Sequence, residues 1–178
     1  MKLPSDYSQA IAHLGLDNAA MYTINRFHLN EKKEDIIYEW KSMVLDQYKN
    51  NVKLKNGAKE FLEYLKKNNI KICAATANDE DCYKNCLINN GIYNDFSFVL
   101  DVSGYPCGKD SPDIYLDAAR KLNVDIDKCF VFEDIITALN TAHNAGFKTC
   151  AVYEATCKDE DKKKQIADIY INDFNQLL

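Results

Sequence analysis

From Lys55 onward, short apolar runs alternate with amphipathic helical stretches, and no other feature constrains the fold of this chain as strongly. The apolar runs lie at residues 70–75, 96–100, 130–132, 148–152 and 167–171. Between them come helical patterns. Ala58, Phe61, Leu62 and Leu65 share one face of a first helix that ends near Asn68-Asn69. A second covers residues 79–90 and stops at Gly91. A third, over 112–122, carries Ile114, Leu116, Ala118, Ala119 and Leu122. A fourth runs from about 135 to Ala145 and stops at Gly146. Glycine just past a helix adopts the left-handed backbone that closes the last turn. Strands separated by helices need crossover connections, so the pattern predicts an α/β fold with a doubly wound parallel sheet. The unbroken apolar run Phe130-Val131-Phe132 fits a strand covered on both faces. In such sheets ligands bind beyond the carboxyl ends of the strands.

Before Val52 the chain reads as helix only. Asp17 is placed to cap a helix reaching about Phe27. Ile36, Ile37, Trp40, Met43, Val44 and Tyr48 recur at helical spacing in the next one. The 178 residues therefore divide into a helical part, 1–53, and an α/β part, 54–178. A net charge of −5 argues against a nucleic-acid partner, whose phosphates would be repelled. No apolar run approaches the ~18 residues of a membrane span, so no membrane association is expected. The opening Met1-Lys2-Leu3-Pro4-Ser5-Asp6 lacks the apolar stretch of a signal peptide. Several of the seven cysteines (Cys73, Cys129, Cys150) sit inside strand-like runs and read as structural thiols in a reducing cytoplasm. Cys82 and Cys86 lie four apart on a predicted helix, without the second pair or the histidines that a zinc site would want. The charged run 158–164 reads as a solvated helix start.

Three short segments carry reactive groups. Thr76 follows the run 70–75 and offers a hydroxyl, with the N–H groups of Ala77 and Asn78 at a helix start. That set suits a phosphate oxygen, or Asn78 simply caps the helix and Thr76 ends a strand. Lys109 lies in the turn-rich stretch 104–112. It is either a solvated loop lysine or an ammonium set to stabilise a phosphoryl group. Glu133-Asp134 directly follows a buried run. Two adjacent carboxylates there are costly unless they bind a cation or meet a helix N-terminus. Oxygen ligands of this kind favour Mg²⁺.

Taken in order, the segments 54–62, 70–78, Gly108-Lys109-Asp110-Ser111-Pro112-Asp113-Ile114-Tyr115, Val131-Phe132-Glu133-Asp134 and Ala145-Gly146 carry a resemblance. The chain resembles the haloacid dehalogenase-like (HAD) hydrolase superfamily, in the branch of phosphoglycolate phosphatase-like enzymes and β-phosphoglucomutase, over about residues 15–178. The resemblance implies a Rossmannoid core with a partial N-terminal α-helical cap formed by the helices before Lys53. It implies a Mg²⁺-dependent phosphatase of small phosphate monoesters that works through an aspartyl-phosphate, with a small phosphorylated metabolite as partner. Thr76 would hold the transferring phosphoryl group, helped by the Ala77 N–H. Lys109 would neutralise phosphate and nucleophile. Asp134, helped by Glu133, would ligate Mg²⁺.

The departures from the family pattern are as informative. The family opens with a strand ending in Asp-x-Asp-x-Thr, which supplies the nucleophile and the general acid/base. Asp125-Ile126-Asp127 has the spacing but precedes a strand, and Asp79-Glu80-Asp81 opens a helix. Asp110, Ile135 and Ala138 stand where Pro, Ser and Gly are usual, and Asn18 where phosphomutases carry an Arg. The chain is read as a shortened version of a longer protein. As it stands it is expected to have little activity and to hold Mg²⁺ weakly. The other readings are a non-catalytic remnant that binds a phosphorylated ligand or a protein, a phosphomutase, and a dimer whose chains exchange elements to complete the sheet. The absent strand would be central, leaving ladder groups on its neighbours without partners.

Overall fold

The structure, a computed structural model, describes residues 3–11, 14–157 and 159–178. The chain forms two compact units, Met1–Asn51 and Val52–Leu178. Met1, Lys2 and Lys158, named above in the opening stretch and the charged run, lie outside the described residues.

The first unit holds α1 (Tyr7–Ile11), α2 (Leu16–Phe27) and α3 (Lys33–Asn50). Tyr7 is its buried anchor. Its hydroxyl shares a 2.7 Å hydrogen bond with Thr23, and its ring meets Phe27 edge-on at 5.3 Å. Asp17 does not cap α2 as expected; Gly15 holds that position. Asp17 lies one residue into the helix and accepts an ion pair from Lys33 at 2.6 Å, so its carboxylate joins α2 to the start of α3. Along the apolar stripe of α3 only Ile36 is buried, while Met43 and Val44 are exposed.

The second unit runs α4 (Ala58–Lys67), β1 (Ala74–Thr76), α5 (Glu80–Asn89), β2 (Val99–Asp101), α6 (Asp113–Leu122), β3 (Phe130–Glu133), α7 (Ile136–Asn144), β4 (Lys148–Val152), α8 (Glu160–Ile166) and β5 (Ile169–Ile171). Every strand pair is parallel, as the alternation predicts. β1 pairs with β2, Thr76 opposite Asp101. β3, β4 and β5 pair in that order, Phe132 opposite Cys150 and Cys150 opposite Ile169. The single doubly wound sheet of the sequence reading is therefore two parallel sheets, one of two strands and one of three. The strand expected at 70–75 is also shorter and displaced towards its carboxyl end. Among the described residues β2 is the strand that pairs with it, and β2 starts at Val99.

Helix α6 covers both half-sheets. It buries Ile114, Tyr115, Ala118 and Ala119, and residues of β1 (Ala75) and β3 (Val131) pack against that cluster. A second cluster of Cys150, Val152 and Ile171 is closed by Phe132, Phe174 and Leu177. Phe61 of α4 meets Phe132 and Phe174, each at 5.6 Å between ring centroids. Gly57, in front of α4, has φ +74°, and a Cβ there would lie 2.4 Å from the backbone N of Asn175. Only glycine permits both the left-handed backbone and so close an approach.

Within the charged run read as solvated, Lys163 is an exception, fully buried with none of its surface exposed. It faces inward on α8 because three oxygen partners await it there. Its Nζ donates to the main-chain oxygens of Asp134 (2.8 Å) and Val152 (2.9 Å) and pairs with Glu160 at 2.7 Å.

Candidate functional site

Thr76 and Glu133 end β1 and β3, and Lys109 is brought to Glu133. Thr76 is the last residue of β1, and the Asn78 N–H donates to its Oγ1 at 3.1 Å. That bond is the short turn by which a threonine satisfies the backbone two residues on. It occupies a lone pair and leaves the hydroxyl proton of Thr76 for another acceptor. Ala77 is exposed. The register sets Asp101, at the end of β2, opposite Thr76, and the Asp101 carboxylate accepts from the Ser103 N–H at 2.8 Å.

Lys109 reaches from the loop before α6 to the end of β3. Its Nζ lies 2.6 Å from Glu133 Oε1, with 21% of the lysine side chain and 7% of the glutamate exposed. The buried Tyr115 hydroxyl donates to the same oxygen at 2.8 Å. Burial, and then the negative Glu133, push the Tyr115 hydroxyl far above the usual range, so it stays a donor. A nearly buried carboxylate is tolerable only with such partners. Thr76 makes no hydrogen bond with Lys109, Glu133 or Asp134.

Asp134 follows Glu133. Its main chain is fixed by Lys163, and its carboxylate lies 3.9 Å from Lys55 Nζ. Lys55 is otherwise held by the Tyr153 carbonyl (3.0 Å) and by Glu154 (2.8 Å). Its ammonium, with the Thr156 N–H and hydroxyl, holds the Glu154 carboxyl down at about 2.

The Mg²⁺ that the resemblance implies does not find a complete site in these residues. Among the described residues no group of three or more His, Cys, Asp or Glu converges on one point. Glu133 Oε1 is already taken by a cation and a hydroxyl, and octahedral Mg²⁺ asks for more oxygen ligands than Asp134 alone. The two Asp-x-Asp spacings sit where the sequence puts them. Asp125 precedes a short turn ahead of β3 and holds Lys128 at 2.8 Å, while Asp79 stands at the start of α5.

Sequence reasoning did not single out Tyr115, Lys55 or Lys163. Tyr115 could have been found from its place two residues after Asp113, on the face of α6 that carries Ala118 and Ala119. Lys163 is invisible in a run of charges.

The family model of the haloacid dehalogenase-like hydrolases matches residues 3–146. Among curated proteins the chain is similar to (DL)-glycerol-3-phosphatase 2 of Arabidopsis thaliana, 31% identical over 125 residues, which is 67% of this chain and 52% of that protein. It is also similar to the chloroplastic 5-amino-6-(5-phospho-D-ribitylamino)uracil phosphatase of the same plant, 26% identical over 100 residues, 56% of this chain and 27% of that one. The chain spans about half the length, or less, of the curated relatives it matches. Among solved structures, the HAD hydrolase of family IA, variant 3, from Entamoeba histolytica superposes with a TM-score of 0.79 over 100% of this chain and 81% of its own, at 25% identity. β-Phosphoglucomutase from Clostridium difficile superposes with a TM-score of 0.71 over 100% of this chain and 79% of its own; at 22% identity this shows the fold alone. Since the family match runs over most of its length and the parallel α/β core agrees with it, the chain belongs to the haloacid dehalogenase-like hydrolase family.

Proposed function

We propose that this chain is the phosphate-handling part of a HAD-type phosphatase for small phosphate monoesters. The observation that carries the reading is the Lys109–Glu133 pair at the carboxyl end of β3, in the same parallel fold whose β1 ends in Thr76. Glu133 and Tyr115 aim the Lys109 ammonium and hold it in place, so it is preorganised to neutralise a phosphoryl oxygen. The Thr76 hydroxyl, its oxygen already bonded by the Asn78 N–H, donates its proton to a second phosphoryl oxygen. The Ala77 N–H supplies a third contact. Residues 1–53 serve as a partial helical cap.

Neither Asp-x-Asp spacing among the described residues ends a strand, so neither is assigned the in-line attack on that phosphorus. These residues alone bind phosphate and turn it over little. Mg²⁺ would be held only weakly here, because Asp134 alone leaves most of an octahedral shell to water. Similarity to two plant phosphatases supports a phosphate monoester as the ligand.

The test is a phosphorus-NMR titration of inorganic phosphate against the parent and a Lys109→Ala variant, beside an assay of glycerol phosphate hydrolysis. The variant should bind phosphate at least tenfold more weakly, since an ion-paired ammonium contributes ~1.5–3 kcal/mol. Equal binding by parent and variant removes Lys109 from the site. Hydrolysis by the chain alone at an ordinary enzymatic rate, about 1 s⁻¹ or faster, would show that the nucleophile is within these residues after all. A second reading, a non-catalytic phospholigand- or protein-binding domain, is favoured by one observation: both Asp-x-Asp spacings lie at the wrong ends of their elements. Phosphate binding that persists without turnover when an Asp-x-Asp-x-Thr strand is joined ahead of residue 1 would select it.

A further inference from the structure

Asp134 stands one residue past β3, and Glu154 two residues past β4. The two strands are paired in parallel, so the chain leaves them at the same end of the sheet. The main-chain oxygen of Asp134 is fixed by Lys163, so its carboxylate is carried on a rigid stem, with 36% of the side chain exposed. Carboxylates brought to neighbouring strand ends repel each other unless a cation lies with them.

That cation is Lys55, which comes from 99 residues before Glu154 in the chain. Its Nζ donates to Glu154 Oε2 at 2.8 Å and to the Tyr153 carbonyl at 3.0 Å, and stands 3.9 Å from Asp134 Oδ2. An ammonium carries three protons. Two are taken, and the third is left with Asp134 in ion-pair range. The other oxygen of Glu154 accepts from the Thr156 N–H at 3.1 Å and hydroxyl at 2.9 Å, which keeps the carboxylate from swinging away. The backbone under the lysine is anchored too. The Ala58 N–H donates to the Lys55 carbonyl at 3.1 Å, and the Phe174 N–H to the Asn56 carbonyl at 2.9 Å. An ordinary surface lysine loses entropy when it pairs and contributes little. Lys55 differs because its partners and its own main chain are held by other groups.

We infer that Lys55 is a built-in counter-cation for Asp134 and Glu154, a positioning residue that closes this corner of the site to a divalent ion. Its ammonium neutralises the strand ends and repels an incoming cation at short range. It also occupies Glu154 Oε2, an oxygen that a hard divalent ion would otherwise take as a ligand. The thin oxygen shell at Asp134 is thus one obstacle to Mg²⁺, and a fixed positive charge beside it is a second. The inference goes beyond the phosphatase reading and takes from it only that Asp134 faces the ligand.

The probe is Mn²⁺ alone, an ion that oxygen ligands suit, titrated into the full 178-residue chain and followed by electron paramagnetic resonance. Two variants remove the charge in different ways. Lys55→Gln keeps an N–H for the Tyr153 carbonyl, and Lys55→Met keeps the length of the stem. Both should bind Mn²⁺ about tenfold more tightly than the parent, since a unit charge within a few ångströms no longer repels the ion. The bound ion should broaden the amide resonances of residues 134 and 154–156. Lys55→Arg keeps the charge and should bind as weakly as the parent. Lys84→Met removes an exposed ammonium on α5, paired there with Glu80, and should leave Mn²⁺ binding unchanged. Equal affinity in the parent and the two neutral variants would overturn the inference. So would an equal gain in Lys84→Met or Lys55→Arg, or broadening that spares residues 134 and 154. Phosphate titrated without divalent metal reads Lys109 by itself, so this inference and the phosphatase reading fall separately.

Discussion

Glu133 is the residue on which the site turns. It is the last residue of β3 and nearly buried, and a single oxygen takes both the Lys109 ammonium and the Tyr115 hydroxyl. Removing the cation leaves an uncompensated buried charge, whereas removing the hydroxyl leaves the ion pair in place. Lys109→Met should therefore destabilise the fold by about 2–4 kcal/mol. Tyr115→Phe should cost about 1–2 kcal/mol. Urea denaturation of the two variants decides the order, and a Tyr115 variant less stable than the Lys109 variant would mean that packing around the ring dominates. Lys163 presents the same logic more severely, since its buried Nζ ties the end of β3 to the end of β4 through two carbonyls. Lys163→Met keeps the length of the side chain, yet strands both carbonyls and leaves Glu160 only the Tyr170 hydroxyl and the Glu154 N–H. It should lose about 3 kcal/mol and disturb the backbone at Asp134, visible as shifted amide resonances for residues 133–135. Unchanged resonances there would limit Lys163 to holding α8.

Between elements, the joint at α4 is as exacting. Gly57 lets the chain turn into α4 against the backbone of Asn175, and the Phe174 N–H donates to the Asn56 carbonyl at 2.9 Å beside it. That contact seats Phe174 on Phe61 and Phe132 and closes the smaller core. A Cβ at position 57 meets main chain, which cannot swing aside as a side-chain tip would. Gly57→Ala should cost about 2–4 kcal/mol, from the left-handed backbone and the clash together. If thermal melting shows less than ~1 kcal/mol, the C-terminal turn is free to move away and does not help to hold the core.

For the molecule as a whole, acid is the sensitive direction. The Lys55 ammonium is the main cause of the depressed Glu154 carboxyl, at about 2 against an ordinary 4.5. Tyr105, and then Arg120, hold Asp117 at about 2 as well. A carboxyl whose folded value lies below its unfolded one contributes stability that is fully present above the unfolded value and lost as pH falls towards the folded value. Both losses therefore fall between about pH 4.5 and pH 2. Both groups are near the surface and screened, so the effect shows as a slope and not as a collapse. Glu154→Gln should melt somewhat lower than the parent at pH 6–8, where the Lys55 contact contributes fully, show a flatter fall across that window, and converge with the parent towards pH 2. An identical acid slope in parent and variant would show that the Lys55–Glu154 contact carries no stability in solution. No described helix is long and apolar enough to cross a membrane.

The alternation of apolar runs and amphipathic helices determined the parallel α/β class by itself, because the period of each stretch is written in neighbouring residues. The same local chemistry marked Gly91 and Gly146 as helix stops; both take positive φ. It also put Thr76 and Glu133 at strand ends. Pairing is different. Whether β1 finds one partner or two depends on a segment far away in sequence, so the family resemblance pointed to ladder groups without partners while only the structure shows the sheet dividing between β1 and β3. Burial of charge follows the same rule. Lys163 looks solvated within its run of lysines, and Asp17 looks like a cap beside its helix. Each is reassigned by oxygens or ammonium groups that other elements bring to it, since desolvation and ion pairing depend on what arrives in space and not on what adjoins in the chain.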